Sequence, residues 1–115
     1  MIENRQEPRY ALPGRAQLSF GEPPRGATVR LIDISKSGIS FRCEVALPAG
    51  ALVRLALSVL VDGHTQAATP TVRVRYCILE KDDHRVGGEF VDPDPATSAA
   101  LASIVDARKK VVRGR

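Results

Sequence analysis

The sequence predicts an all-β fold: a small antiparallel barrel of about six strands, closed off by one C-terminal helix. Three observations predict it. Short runs of alternating apolar and polar residues recur between residues 15 and 91. Clusters of Gly, Pro, Asp and Ser separate them at regular intervals. Only after Asp94 does the period change to that of a helix. At 115 residues the chain forms one domain, long enough to bury a core without disulfides or metal.

Each element has its own justification. Residues 1–14 read as an irregular, flexible arm, because Pro8 and Pro13 discourage helix and no periodicity is present. The barrel and its helix are expected over 15–115. The first strand, 15–20, ends in the turn-rich Gly21-Glu22-Pro23-Pro24-Arg25-Gly26. The second, 27–34, is rich in β-branched residues (Thr28, Val29, Ile32, Ile34). A tight turn at 33–38 leads to a strand over 39–45, where Ile39, Phe41 and Cys43 alternate with Ser40, Arg42 and Glu44. Leu47-Pro48-Ala49-Gly50 is a loop, and 52–61 a strand with Val53, Leu55, Leu57 and Val59 on one face. Asp62-Gly63 is a hairpin signal. Residues 66–79 read as one strand with an edge position or bulge at Pro70, and Val72, Val74 and Tyr76 share a face. A charged loop at 80–84 precedes the last strand, 85–91. Asp94 can cap a helix with Pro95 at its first position, spanning about 95–112, with Leu101, Ile104, Val105 and Val112 at helical spacing.

No apolar run approaches the roughly 20 residues that span a bilayer, and residues 1–10 lack the apolar stretch of a secretion signal. A cytoplasmic protein without membrane insertion is expected. Cys43 and Cys77 have no metal-ligand spacing, and two ligands do not close a zinc site, so they read as reduced thiols in or near the core. No cofactor or metal is expected.

The net charge is +4, and thirteen of the seventeen basic residues are arginine. A guanidinium fork fits phosphate and the guanine O6/N7 edge, which suits a nucleotide partner. GC-rich coding produces the same bias, so composition alone decides nothing. The basic tail, Arg108-Lys109-Lys110 with Arg113 and Arg115, reads first as charge complementing a helix C-terminus. Without interleaved aromatics or a DNA-reading helix, no DNA or RNA partner is expected.

Two motifs carry more. Arg5-x-x-x-Arg9 places two guanidinium groups on the N-terminal arm, where they can close on a small anion, each binding phosphate or a guanine edge in bidentate fashion. Asp33-x-Ser35-x-x-Gly38 is a polar turn between two strands. Read structurally, it is an Asx- or Ser-type turn in which Gly38 supplies a positive φ. Read functionally, Asp33 accepts from the N1–H and N2–H₂ donors of guanine, Ser35 bonds a phosphate or base, and Gly38 lets a flat ligand approach the backbone.

Together, and in this order, these motifs resemble the ligand-binding signature of the PilZ domain, a bacterial receptor module for the second messenger cyclic di-GMP. The resemblance covers essentially the whole chain. Leu47, Pro48 and Gly50 echo a typical loop, and Val86-Gly87-Gly88-Glu89-Phe90 echoes the family's Gly-x-x-Phe strand end. It implies a six-stranded barrel with a C-terminal helix, cyclic di-GMP gripped by Arg5 and Arg9, and guanine read by Asp33 and Ser35 beside Gly38. Some members set an aromatic residue, often Trp, against the ligand. This chain has no Trp, and Tyr76 is the nearest counterpart, with a core or barrel-rim position as the alternative. Asn4 stands where members that bind two intercalated ligands often carry a further arginine, leaving one or two cyclic di-GMP per site open.

The implied role is a single-domain receptor that signals to a downstream protein through rearrangement of its arm. A PilZ-fold interaction adaptor that binds no nucleotide is the alternative. Enzymatic function is not expected. His64 and His84 stand without a nucleophile or ligand set, and no phosphate-cradling or dinucleotide motif is present.

Overall fold

The computed structural model describes residues 7–113. In chain order the elements are β1 (Tyr10–Ala11), β2 (Arg15–Phe20), β3 (Arg25–Ile34), β4 (Gly38–Cys43), β5 (Leu52–Val61), β6 (His64–Ala68), β7 (Thr71–Glu80), β8 (Asp83–Phe90) and α1 (Pro95–Arg113).

Six antiparallel strands close a barrel in the order β3, β2, β5, β7, β8, β4 and back to β3. Closure leaves these strands no open edge. Alternation along the strands fills the interior with Leu18, Val29, Ile39, Phe41, Leu55, Val72, Val74 and Val86, all essentially inaccessible to solvent. Cys43 joins them, and burial pushes its thiol pKa up. Cys77 is partly buried, and its sulfur accepts a hydrogen bond from the Leu47 N–H at 3.4 Å; neither cysteine forms a disulfide.

The Asp62-Gly63 hairpin joins β5 to β6, with φ of 50° and 83°, the left-handed pair that a type I′ turn requires. The helix begins as expected. Asp94 Oδ1 accepts the Thr97 N–H at 2.7 Å, which holds the Asp94 carboxyl below its ordinary value of 3.8. Ala100, Leu101 and Ile104 form the buried face of α1, which packs against β1, β5 and β6. The Val112 side chain lies outside the described set. No helix among the described residues is long and apolar enough to cross a membrane.

The structure departs from the expected elements in three places. The run 66–79 is two strands, not one. β6 pairs with the second half of β5, from Leu57 to Val61, whereas β7 pairs with its start, from Leu52 to Arg54. Pro70 lacks an N–H for a ladder, and its carbonyl instead accepts the Leu55 N–H at 3.1 Å as the chain passes between the two pairings. Second, the charged loop at 80–84 is a two-residue turn, with Lys81 in the left-handed region at φ 59°.

Third, the irregular reading of the leader does not hold up to Gly14. Tyr10 and Ala11 pair with Ile34 and Asp33, the Leu12 N–H donates to the Ile32 carbonyl at 2.9 Å, and the Leu12 side chain is 1% exposed. β1 thus continues the line of β2 along the same side of β3. Arg108 of α1 donates from Nε to the Ala11 carbonyl at 2.8 Å, tying the helix to this strand.

Candidate functional site

Two β-bulges build the site. Between β3 and β4 the register shifts between Leu31 and Asp33, leaving Ile32 as the extra residue. Strict alternation would put Asp33 on the same inward face as Val29 and Leu31. The bulge turns it outward and lets Ile34 take the buried position. Between β7 and β8 the register shifts between Val74 and Tyr76, with Arg75 extra. That slip moves Tyr76 off the interior face it was expected to share with Val72 and Val74, and sets Cys77 opposite the buried Val86.

Directly paired residues share a face. Asp33 pairs with Ser40, Ser40 with Gly87, and Gly87 with Tyr76, so the four form one transverse row on the outer wall across β3, β4, β8 and β7. The Tyr76 ring lies over the Cα of Gly87, in the space a side chain there would fill, and Arg85 is 5.8 Å from the ring centroid.

Arg9 reaches this row from the N-terminal side. Its Nη1 donates to Asp33 Oδ1 at 2.8 Å, and the same oxygen accepts the Ser40 hydroxyl at 2.6 Å. Among the described residues, Arg9 uses one of the guanidinium's usual five N–H donors, and Asp33 accepts through Oδ1. Arg5 and Asn4 lie outside the described residues.

The turn after Asp33 carries the other two predicted residues. Ser35 is 2% exposed; its hydroxyl accepts the Gly38 N–H at 3.1 Å, while its own N–H donates to the Gly38 carbonyl at 2.9 Å. In this geometry Ser35 shapes the turn. Gly38 does not supply a positive φ: the left-handed glycines are Gly14, Gly21, Gly50 and Gly63. What Gly38 supplies is the absence of a side chain, because a Cβ there would fall onto the backbone carbonyl of Gly88 in β8.

Reading the motifs alone misses three contributors. Ser40 shares the Asp33 oxygen and is nearly fully buried; its outward phase, two residues after Gly38, was the available signal. Arg85 flanks the Tyr76 ring. Glu7, between the two motif arginines, uses Oε1 to accept the Ser37 hydroxyl at 2.6 Å and the Ser37 N–H at 3.3 Å, clipping the segment to the turn.

Burial works against the Glu7 carboxylate, but the donors of Ser37 and Ser35 and the charge of Lys36 outweigh it and hold the group below its ordinary value of 4.5. A carboxyl whose pKa is lowered by docking favours the docked state above the undocked pKa. It loses that contribution as pH falls through the docked value. The Ser37 amide resonance is therefore expected to titrate with a midpoint below 4.5. The transition should vanish in Glu7→Gln; a midpoint above the ordinary value would mean that the clip does not hold the carboxylate.

The segment that carries Arg9 also walls a groove of ≈ 570 Å³, bounded by Glu7, Tyr10, Ser37 and Phe90 on one side and by Leu101 and Val105 of α1 on the other. Among the described residues no group of three or more His, Cys, Asp or Glu is placed to hold a metal ion.

Known proteins share this architecture. The barrel superimposes on the inhibitor of motility MotI/DgrA of Bacillus subtilis with a TM-score of 0.75 at 18% identity, covering 99% of this chain and 55% of that one. It matches the PilZ domain of YcgR from Escherichia coli, solved with c-di-GMP, with a TM-score of 0.68 at 16% identity, covering 97% and 96%. It matches the MrkH–c-di-GMP complex of K. pneumonia with a TM-score of 0.74 at 15% identity, covering 100% and 56%. The chain thus spans little more than half of MotI/DgrA and MrkH. No curated protein matched its sequence. The model of the PilZ domain matches residues 3–107, a span that takes in both motifs, the closed ring and most of the helix. With that match over most of its length, the chain belongs to the PilZ domain family.

Proposed function

We propose that this chain is a receptor for cyclic di-GMP. The observation that carries the reading is the Arg9–Asp33 contact of 2.8 Å on the outer wall, in line with Ser40 and Tyr76. A guanine and a phosphate need this combination within one ligand's reach: a donor fork for the phosphate, a carboxylate for the base edge and an aromatic face for stacking. The c-di-GMP named with the YcgR and MrkH structures supports the same ligand class. Arg5 joins Arg9 on the ligand in this reading, and Gly38 keeps the turn low beneath it.

Signalling follows from the arm. Ligand competes with Asp33 for Arg9, and drawing residues 5–9 onto the nucleotide strains or releases the Glu7–Ser37 clip. The groove beside α1 has Glu7 and Pro8 in its wall, so its shape changes with the ligand. The ordering cost is met by charge-assisted bonds. Such a receptor acts in the cytoplasm and passes its state to a downstream protein.

A second reading has its own support. Arg9 is already paired with Asp33, and the Ser35 hydroxyl is engaged within the turn, as in an adaptor that binds no nucleotide. Calorimetric titration with cyclic di-GMP, with GTP and cyclic di-AMP as controls, separates the two. Saturable, guanine-selective heat with a defined stoichiometry is expected; no heat at high ligand concentration would give the adaptor reading the field.

A further inference from the structure

A second row crosses the outer wall next to the first. Arg15 pairs with Arg30, Arg30 with Arg42, Arg42 with Arg85, and Arg85 with Ile78. Four arginines therefore stand directly opposite one another on four consecutive strands. Like charges so placed destabilise a sheet, and the chain relieves only half of the repulsion. Arg42 is held by Asp83 at 2.7 Å and Glu80 at 3.1 Å, and Arg85 lies 3.5 Å from Glu80. Arg15 and Arg30 are exposed, and among the described residues neither forms an ion pair. Glu44 and Asp83 line the hollow the two share without pairing to either.

We propose that this row is the docking surface for an acidic face of a partner protein, with Arg15 and Arg30 each gripping a carboxylate. Two observations favour a protein over a nucleic acid. Glu44, Glu80, Asp82 and Asp83 stand among the arginines, so a phosphate backbone of uniform charge would be pressed against carboxylates. A protein face can alternate its charges to match. At the end of the row, opposite Arg85, Ile78 is 46% exposed, an apolar anchor beside arginine of the kind that interface centres use and a phosphate chain does not. Arg85 belongs to this row and also flanks Tyr76, so the surface adjoins the proposed nucleotide site.

The inference deepens the partner half of the reading above and is testable without nucleotide. The isotope-labelled full chain is titrated with a synthetic peptide of alternating aspartate and leucine, and separately with a single-stranded oligothymidylate. Saturable shifts centred on the amides of Arg15, Arg30 and Ile78 are expected with the peptide. The double variant Arg15→Gln/Arg30→Gln should bind at least about tenfold more weakly, while its thermal midpoint holds or rises as repulsion is relieved. The equal-charge control Arg25→Gln/Arg54→Gln should bind as the unmodified chain does. No shift along the row, an equal loss in the control, tighter binding of the oligonucleotide there, or a lowered midpoint in the double variant would each overturn the proposal. Affinity for cyclic di-GMP, measured on the same double variant, should be unchanged. A failure of nucleotide binding in the unmodified chain would sink the receptor reading and leave the docking surface standing.

Discussion

Gly38→Ala is expected to lower the unfolding free energy by about 3 kcal/mol, the upper part of the usual range for overpacking. The reason is the identity of the obstacle. A Cβ at Gly38 meets the carbonyl of Gly88, which is backbone in a paired strand and has no rotamer to change. β4 and β8 must separate, which opens the barrel wall. For a domain of this size the loss corresponds to a fall in Tm on the order of 10–15 °C, readable by calorimetry without ligand. Gly87→Ala is the informative contrast. Its Cβ meets the Tyr76 ring, which can swing away, so that variant should keep more stability and lose the ordered ring on the outer wall. A Gly38→Ala protein as stable as its parent would mean that the strands do not approach so closely.

Arg9→Ala is expected to weaken cyclic di-GMP binding by roughly tenfold to a hundredfold, the equivalent of about 1.5–3 kcal/mol for a charge-assisted donor. Stability should hardly change. The Arg9 and Asp33 side chains are 46% and 23% exposed, and a pair so open to solvent contributes at most about 1 kcal/mol. The two readouts therefore separate recognition from folding. Arg9→Lys adds resolution: it keeps the charge and loses the fork, so an intermediate affinity identifies bidentate contact as the source of the difference. Unchanged affinity in Arg9→Ala and in Arg5→Ala would remove the proposed site altogether.

The glycine result and the arginine result draw on different levels of information. Both motifs were readable as residue types at Arg9, Asp33, Ser35 and Gly38, and the family resemblance pointed to Tyr76 as the nearest counterpart of an aromatic residue. Most strand positions were readable too, because one face of each strand is buried and period-two alternation exposes that face. The Asp62-Gly63 turn and the Asp94-Pro95 start followed from local backbone chemistry, which acts over a few residues and leaves a local mark. Arg5 and Asn4 fall outside the described residues.

What the sequence by itself determined, then, is the set of elements and the residue types available to a site. Tertiary structure decided where those residues point. The bulges at Ile32 and Arg75 reverse the phase of β3 and β7, turning Asp33 and Tyr76 outward, and neither leaves a sequence mark because a bulge forms only against the partner strand. The division of 66–79 into two strands depends on which half of β5 each one meets. The role of Gly38 depends on how near β8 passes. The four arginines of the second row lie far apart in the chain and become neighbours only through registers set across three strand pairs. Alternation and turn chemistry are properties of neighbouring residues; register, bulges and close approach belong to pairs of strands, and only the closed barrel brings those pairs together.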